Sequence, residues 1–321
     1  MKRLLCVLAF AAVLPAARAG NYQNFGVAVY IPVQVVKTLA DPKVLQSEWD
    51  QISSQVKVDK VYIEVHRDRQ LADDKLLEDL KAFFIGHGVQ VAAGSAFSDS
   101  EADQFKSFCY TNAGDRDFVK AVAERAARHF DELILDDFFF VNTKTDSDIA
   151  AKGSRSWTDF RLDLMDDAGA KLIVKAAKDV NPKIKVVIKF PNWYEHFQGL
   201  GFDLDKEPKI FDGIYTGTET RDPVSTDQYL QQYESYQIVR YFENIKPGGN
   251  GGGWVDTYGV RYADRYAEQL WDTMFAKARE ITLFNWHLLL MKAAAGERKD
   301  WEDLPTSLNY NAVAGSYHPA G

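Results

Sequence analysis

The 321-residue sequence predicts a (β/α)8 TIM barrel of the α/β class. The prediction rests on three observations: short apolar runs alternate with long amphipathic stretches, those runs number eight, and most are continuous rather than alternating. Continuous runs are expected of parallel strands covered on both faces. Eight strand–helix units in about 280 residues suit a closed barrel. A doubly wound open sheet is the competing architecture, but no G-x-G-x-x-G follows the first strand.

In order, the predicted strands are 26–33, 60–65, 89–94, 132–138, 184–190, 212–217, 251–256 and 280–286. Helical periodicity marks 43–56, 73–86, 114–130, 157–179, 226–244 and 259–278, with a shorter stretch near 195–209. Residues 114–130 place Phe118, Val119, Val122, Ala126 and Phe130 on one helical face. Asp115 is the expected N-cap there, and Asn181-Pro182 stops the 157–179 helix. Gly248–Gly253 reads as a turn entering strand seven. Residues 287–321 give only an incomplete or irregular closing helix followed by a loop-like tail.

Composition sets outer bounds. The chain is 46% hydrophobic and 26% charged, an ordinary globular balance. Its 46 acidic residues against 38 basic ones give a formal charge of −8, which argues against nucleic acid or an anionic membrane as a partner. Lys2 and Arg3 precede a short apolar run at 4–14, and Ala17-Arg18-Ala19 offers a small-x-small cleavage site. Such a run is too short for a permanent anchor, which needs about 20 apolar residues. The expected organisation is a signal peptide at 1–19, a barrel over 20–290 and a tail at 291–321. The product is then secreted or periplasmic. Losing Lys2, Arg3 and Arg18 would take the charge from −8 to −11. Cys6 leaves with the leader, so Cys109 stays as a lone thiol, expected to be a small buried hydrophobe rather than a nucleophile.

A barrel carries its chemistry at the C-terminal strand ends. Strand two ends in Glu64 and His66-Arg67-Asp68, and strand four in Asp136-Asp137 followed by three phenylalanines. Strand five supplies Lys189, Asn192, Trp193 and Glu195, and strand six Tyr215, Glu219 and Asp222. Strands seven and eight supply Trp254, Asp256 and Trp286. Carboxylates among indoles and tyrosines suit a sugar, whose C–H faces lie on aromatic planes while its hydroxyls seek charged partners. Hydrolysis of a glycosidic bond needs two such carboxyl groups. Asp136-Asp137 interrupts an otherwise apolar run, and a buried carboxylate without a partner or a task is costly. Alternation along a strand predicts that only one of the two faces the mouth.

The segment Glu132-Leu133-Ile134-Leu135-Asp136-Asp137-Phe138-Phe139-Phe140 resembles the E-h-h-h-D-aromatic-h-x-F signature of glycoside-hydrolase-like (β/α)8 proteins. That resemblance implies that the acid aligned with Asp136 is catalytic. The acids on strands four and six are also similar in placement to those of the α-galactosidase-type clan, with the nucleophile on four and the acid/base on six. The chain departs from the chitinase pattern, since Phe139 and Phe140 stand where its Glu would be sought.

The leading expectation is an exported glycoside hydrolase with a carbohydrate substrate and no cofactor. Asp136 or Asp137 would be the nucleophile or base, and Glu219 the acid/base. Glu64, Lys189, Asn192, Glu195, Asp222 and Asp256 would bind hydroxyls, and Trp193, Tyr215, Trp254 and Trp286 would line subsites. One alternative is a metal-dependent hydrolase using Glu64, His66, Asp136 and Asp256, although the histidines show none of the usual ligand spacings. Another is a non-catalytic sugar-binding barrel. The absence of G-x-S-x-G and of a P-loop sets nucleophilic triads and phosphate cradles aside.

Overall fold

The structure is a computed structural model and describes residues 22–192, 197–220, 233–256, 260 and 263–290. Eight parallel strands form one closed barrel: β1 (Gly26–Ile31), β2 (Lys60–Arg67), β3 (Gln90–Ser95), β4 (Glu132–Leu135), β5 (Lys185–Phe190), β6 (Gly213–Gly217), β7 (Asn250–Asp256) and β8 (Glu280–Phe284). Closure is explicit, because β1 pairs with β2 on one side, Val29 opposite Val61, and with β8 on the other, Val29 opposite Leu283. The eight predicted strands are therefore present, with ends shifted by a few residues. The largest shift is at β4, which stops at Leu135 instead of 138.

Strand parity splits the apolar side chains into two layers. Ala28, Tyr30, Tyr62, Ala92, Ile134, Val187, Tyr215 and Trp254 fill the barrel axis. The alternate residues, such as Val27, Val29 and Ile31 on β1, pack outward against the helices. This double coverage is why the runs are continuously apolar in the sequence. Gly94 makes room inside: a Cβ there would run into the Tyr30 ring.

The principal outer helices are α1 (Pro42–Ser53), α2 (Asp74–Gly86), α3 (Ala113–His129), α4 (Trp157–Asp167, prolonged through a π-helical Ala168–Lys175 to Val180), α5 (Glu234–Ile245) and α6 (Ala263–Phe275). Asn181 caps the end of the long helix, as its Asn-Pro sequence predicts. The stretch near 195–209 is reduced to two short helical turns, Phe197–Leu200 and Glu207–Ile210. A five-residue helix, Trp286–Leu290, follows β8. Among the described residues no helix is long and apolar enough to cross a membrane. The expected leader at 1–19 and the tail at 291–321 lie outside the described residues.

One local expectation needs correction, and a second, the burial of Cys109, holds in polar surroundings. The N-cap of α3 is Asn112, whose side chain accepts the Asp115 N–H at 3.1 Å; Asp115 sits in the first turn and takes the Cys109 N–H and Arg69 instead. Cys109 is buried, but its surroundings are polar: its Sγ lies 3.2 Å from Thr111 Oγ1 and 3.4 Å from Thr145 Oγ1.

Candidate active site

At the C-terminal mouth of the barrel a single ammonium gathers three carboxyl groups. Lys189, the penultimate residue of β5, points along the axis and is 2% exposed. Its Nζ donates to Asp137 Oδ2 at 2.9 Å, to Glu219 Oε1 at 2.8 Å and to Asp136 Oδ1 at 3.3 Å. Below it lies the Trp254 ring, whose centroid is 4.6 Å from Nζ. Each acid arrives from just past a strand end, Asp136 and Asp137 from β4 and Glu219 from β6.

The early end of β4 explains why both aspartates reach the mouth. Alternation governs residues inside a strand, and here the ladder stops at Leu135. Asp136 N–H still donates to the Ser95 carbonyl of β3, after which the chain turns and brings Asp137 to the same side. The expectation that only one of the pair could face the mouth is thereby overturned. For Glu219 the enabling residue is Gly217. A Cβ at that position would lie 2.6 Å from Glu219 Oε2, inside van der Waals contact. Asn192 fixes the same turn by donating its Nδ2 to the Glu219 carbonyl.

The second cation is Arg67, the last residue of β2. Its Nη2 donates to Asp136 Oδ2 at 2.8 Å, and its Nη1 pairs with Glu101. Glu64 anchors it with Arg67 Nε at 3.0 and 3.1 Å from the two carboxylate oxygens. Glu64 also accepts the Tyr30 hydroxyl and the Val33 N–H, each at 2.6 Å, and is fully buried. Its acceptor sites are thus spent within the protein. The expectation that Glu64 binds sugar hydroxyls is replaced by a role in aiming Arg67.

These surroundings separate the two aspartates electrostatically. Burial alone would raise Asp136, but Lys189 and Arg67 outweigh it and hold the carboxyl down at about 2. The Asp137 N–H adds a donor to its Oδ1 at 2.9 Å. Among the described residues Asp137 has one cation instead of two. Burial pushes it up to about 8, and the Asp136 and Glu219 charges add to that rise against the pull of Lys189. The surroundings thus hold Asp136 toward its carboxylate and push Asp137 toward its carboxylic acid. Lys189 itself is held charged, since its three acidic neighbours overcome the cost of its burial. Glu101, mostly buried beside Arg67, rises to about 7 by burial.

The remaining predicted site residues divide by position. Asp256 ends β7, nearly buried, with its N–H bonded to Gln269 Oε1 at 3.2 Å. Trp254 is 1% exposed and supports Lys189 from below instead of offering a face to solvent. Tyr215 points to the opposite end of the barrel, where its hydroxyl meets Thr282 Oγ1 at 2.7 Å and Glu280 Oε1 at 3.1 Å. Trp286 packs outside the barrel, stacked on Trp49 with Nε1 donating to Glu48 at 2.7 Å. Neither of these two lines the mouth: Tyr215 points inward from mid-strand toward the base, and Trp286 follows β8 onto a helix facing α1. Trp193, Glu195 and Asp222 lie outside the described residues.

The metal-binding constellation is not assembled. His66 sits outside the barrel axis among Phe97, Phe108 and Phe118. Its Nδ1 bonds the Ala96 carbonyl at 2.7 Å and its Nε2 the Arg69 N–H at 3.1 Å, which occupies both ring nitrogens. Among the described residues no group of three or more His, Cys, Asp or Glu side chains is arranged to hold a metal ion.

Two site residues were not singled out as binding groups from the sequence. Arg67 carries a readable signal, because a charged residue closes an otherwise buried strand three positions after an inward Glu64. Glu101 carries none. It reaches Arg67 only because Asp68 Oδ1 accepts the Ser98 hydroxyl at 2.7 Å and the Glu101 N–H at 2.9 Å, folding the following loop back over the strand end.

Comparison with known proteins assigns the chain to a family. A family model described as probable glycosyl hydrolase, catalytic domain, matches residues 15–320. An uncharacterized protein of Saccharolobus solfataricus is 29% identical over 295 residues, covering 82% of this chain and 48% of its own length. The chain thus spans about half the length of the curated relative it matches. Among solved structures, GH5_18 from Streptomyces cattleya in complex with GlcNAc aligns with a TM-score of 0.52 at 13% identity, over 82% of this chain and 70% of that one. The catalytic domain of β-amylase from Paenibacillus polymyxa aligns with a TM-score of 0.52 at 10% identity, over 83% and 93%. At such identities the structural likeness speaks to the barrel alone. The family match spans nearly the whole sequence, and the chain belongs to the family of probable glycosyl hydrolase catalytic domains.

Proposed function

We propose that the protein is an exported glycoside hydrolase that cleaves the glycosidic bonds of an oligo- or polysaccharide with acids from β4 and β6. The observation that carries this reading is the shared Lys189, which brings Asp137 and Glu219 to within 2.9 and 2.8 Å of one nitrogen. Their nearest oxygens are therefore under about 6 Å apart, which is compatible with the ~5–5.5 Å spacing of retaining enzymes.

In this reading Asp137 is the general acid. It is the most exposed of the three carboxyl groups, and burial and its acidic neighbours favour its protonated form. It gives its proton to the leaving oxygen as the glycosidic bond breaks. Glu219 faces it from β6 and attacks the anomeric carbon, forming a glycosyl-enzyme ester. Asp137, now a carboxylate, then takes a proton from the water that opens the ester, which restores both groups. Asp136 stays ionised, holds Lys189 and Arg67, and keeps negative charge beside Asp137 so that the latter binds its proton. Lys189 and Asn192 fix the acids, Lys189 directing its three protons at Asp136, Asp137 and Glu219, and Asp256 meets a sugar hydroxyl from the end of β7. The family match supports the substrate class, and the charged start, apolar run and Ala-Arg-Ala of the first nineteen residues support export.

The test is a screen of aryl glycosides and oligosaccharides against the wild type, Asp137→Asn, Glu219→Gln and Asp136→Asn. Removing Glu219 should abolish hydrolysis of every substrate and removing Asp137 should strongly slow that of the oligosaccharides, with folding intact, and NMR of the first-formed sugar should show retained configuration. Unchanged turnover in either variant removes that residue from the mechanism.

A further inference from the structure

The rim next to the acids carries an aromatic face that the hydrolytic scheme leaves unused. After β3 the chain forms a small antiparallel ribbon, Ser98–Ser100 against Lys106–Ser107. The turn before its second strand puts Gln104 and Phe105 at φ 52° and 54°. Left-handed backbone is uncommon away from glycine, and a bulky residue there persists only where the surroundings enforce it. The enforcing contacts are present. Phe105 N–H donates to the Glu101 carbonyl at 3.1 Å, and Asn142 Nδ2 donates to the Phe105 carbonyl at 3.0 Å. Asn142 Oδ1 accepts the Ser107 N–H, also at 3.0 Å, which ties the ribbon to the loop after β4.

This constrained turn leaves the Phe105 residue 53% exposed. Its ring stacks on Phe138, with centroids 5.6 Å apart and planes at 15°. Phe138 directly follows Asp137, and its ring lies 5.6 Å from the Arg67 guanidinium that holds Asp136. Of the three consecutive phenylalanines, Phe139 and Phe140 are buried and only Phe138 reaches the rim. The stacked pair is therefore continuous with the acid cluster on the side of the residue assigned as proton donor.

We infer that Phe105 and Phe138 form a stacking platform for the leaving-group sugar, the pyranose unit on the far side of the scissile bond; this rests on the hydrolase reading above. The sugar that departs carries the oxygen protonated by Asp137, so it lies beside the residue that follows Asp137. A phenyl face offers no donor or acceptor, and it selects for a flat C–H surface on the sugar rather than a hydroxyl pattern.

Binding and turnover test this together. Binding is measured by calorimetry with a panel of trisaccharides of glucose, mannose, xylose, galactose and N-acetylglucosamine, using Glu219→Gln protein with and without Phe105→Ala. The expected result is at least tenfold weaker binding with Phe105→Ala, recovered by Phe105→Trp. Phe275→Ala, which removes an equally exposed ring on α6, is the control and should leave binding unchanged. In the active enzyme, Phe105→Ala should reduce kcat/KM at least tenfold more for the trisaccharide than for the matching glycosyl fluoride, mainly through KM. Binding equal to that of the parent, equal loss on both substrates, or no trisaccharide bound by the parent overturns the platform. If trisaccharides bind through Phe105 but none is cleaved, the platform stands and the hydrolytic reading falls.

Discussion

Two polar clusters lie at opposite ends of the barrel axis, one half-buried at the base and one buried at the mouth, and they differ in balance. At the base, Lys60 sits between Glu132 at 3.1 Å and Glu280 at 3.0 Å, and the hydroxyls of Tyr62 and Tyr215 donate to Glu280. Opposite charges there support one another: although burial works against both, Lys60 rises and Glu132 falls, each toward its charged form. At the mouth, Lys189 serves three acids at once, and two adjacent aspartates are driven apart, one to about 2 and the other to about 8. A cluster that satisfies its charges is built for stability. One that raises an acid toward its protonated form beside an ionised partner is poised for proton transfer.

That contrast can be broken most sharply at the mouth. Asp137→Asn should lower kcat on substrates with poor leaving groups by about 10²–10⁴-fold, the usual worth of a positioned acid, as steady-state kinetics would show. The base answers differently. Glu280→Gln leaves Lys60 with a single carboxylate, and denaturant unfolding should show a loss of about 3 kcal/mol, the lower end for a broken buried pair. Its pH–rate profile should keep the wild-type shape.

The pH dependence of stability gives a third, smaller contrast. The Asp137 carboxyl lies above its unfolded value of 3.8 in the folded state. The folded protein therefore keeps a proton that the unfolded chain has lost, and stability should decline from about pH 4 to about pH 8. Asp137→Asn should flatten that decline. Asp136 acts in the other direction: its depressed value contributes stability that is full above about 4 and lost as pH falls through about 2. Paired unfolding curves across pH would resolve both slopes. Smallest of all, Trp286→Phe should cost about 1–2 kcal/mol in packing and its hydrogen bond to Glu48 without altering kcat.

Much of this architecture was legible in residue order because parallel barrel strands are covered on both faces: 26–31 is apolar throughout, and 61–63 and 186–188 form apolar centres in their strands. Strand ends were harder to read. Nothing local tells β4 to stop at Leu135, yet that stop brings Asp136 and Asp137 to the same ammonium. Side-chain direction was the other gap. Tyr215 and Lys189 both lie on inward-facing positions, but one hydroxyl reaches the base and the ammonium reaches the mouth. Only the opposing strands decide which. Glu64 was legible as a mouth acid but not as a saturated one, since Tyr30, Val33 and Arg67 come from other parts of the chain.

The most direct measurement is the leaving-group dependence of Asp137→Asn. A 2,4-dinitrophenyl glycoside departs without protonation, whereas the methyl glycoside of the same sugar requires it. The variant should retain formation of the glycosyl-enzyme from the dinitrophenyl substrate and lose the methyl glycoside almost completely. Azide should speed its turnover by taking the place of the activated water. Equal losses on both substrates, or none on either, would contradict the assignment of Asp137 as the proton donor at this mouth.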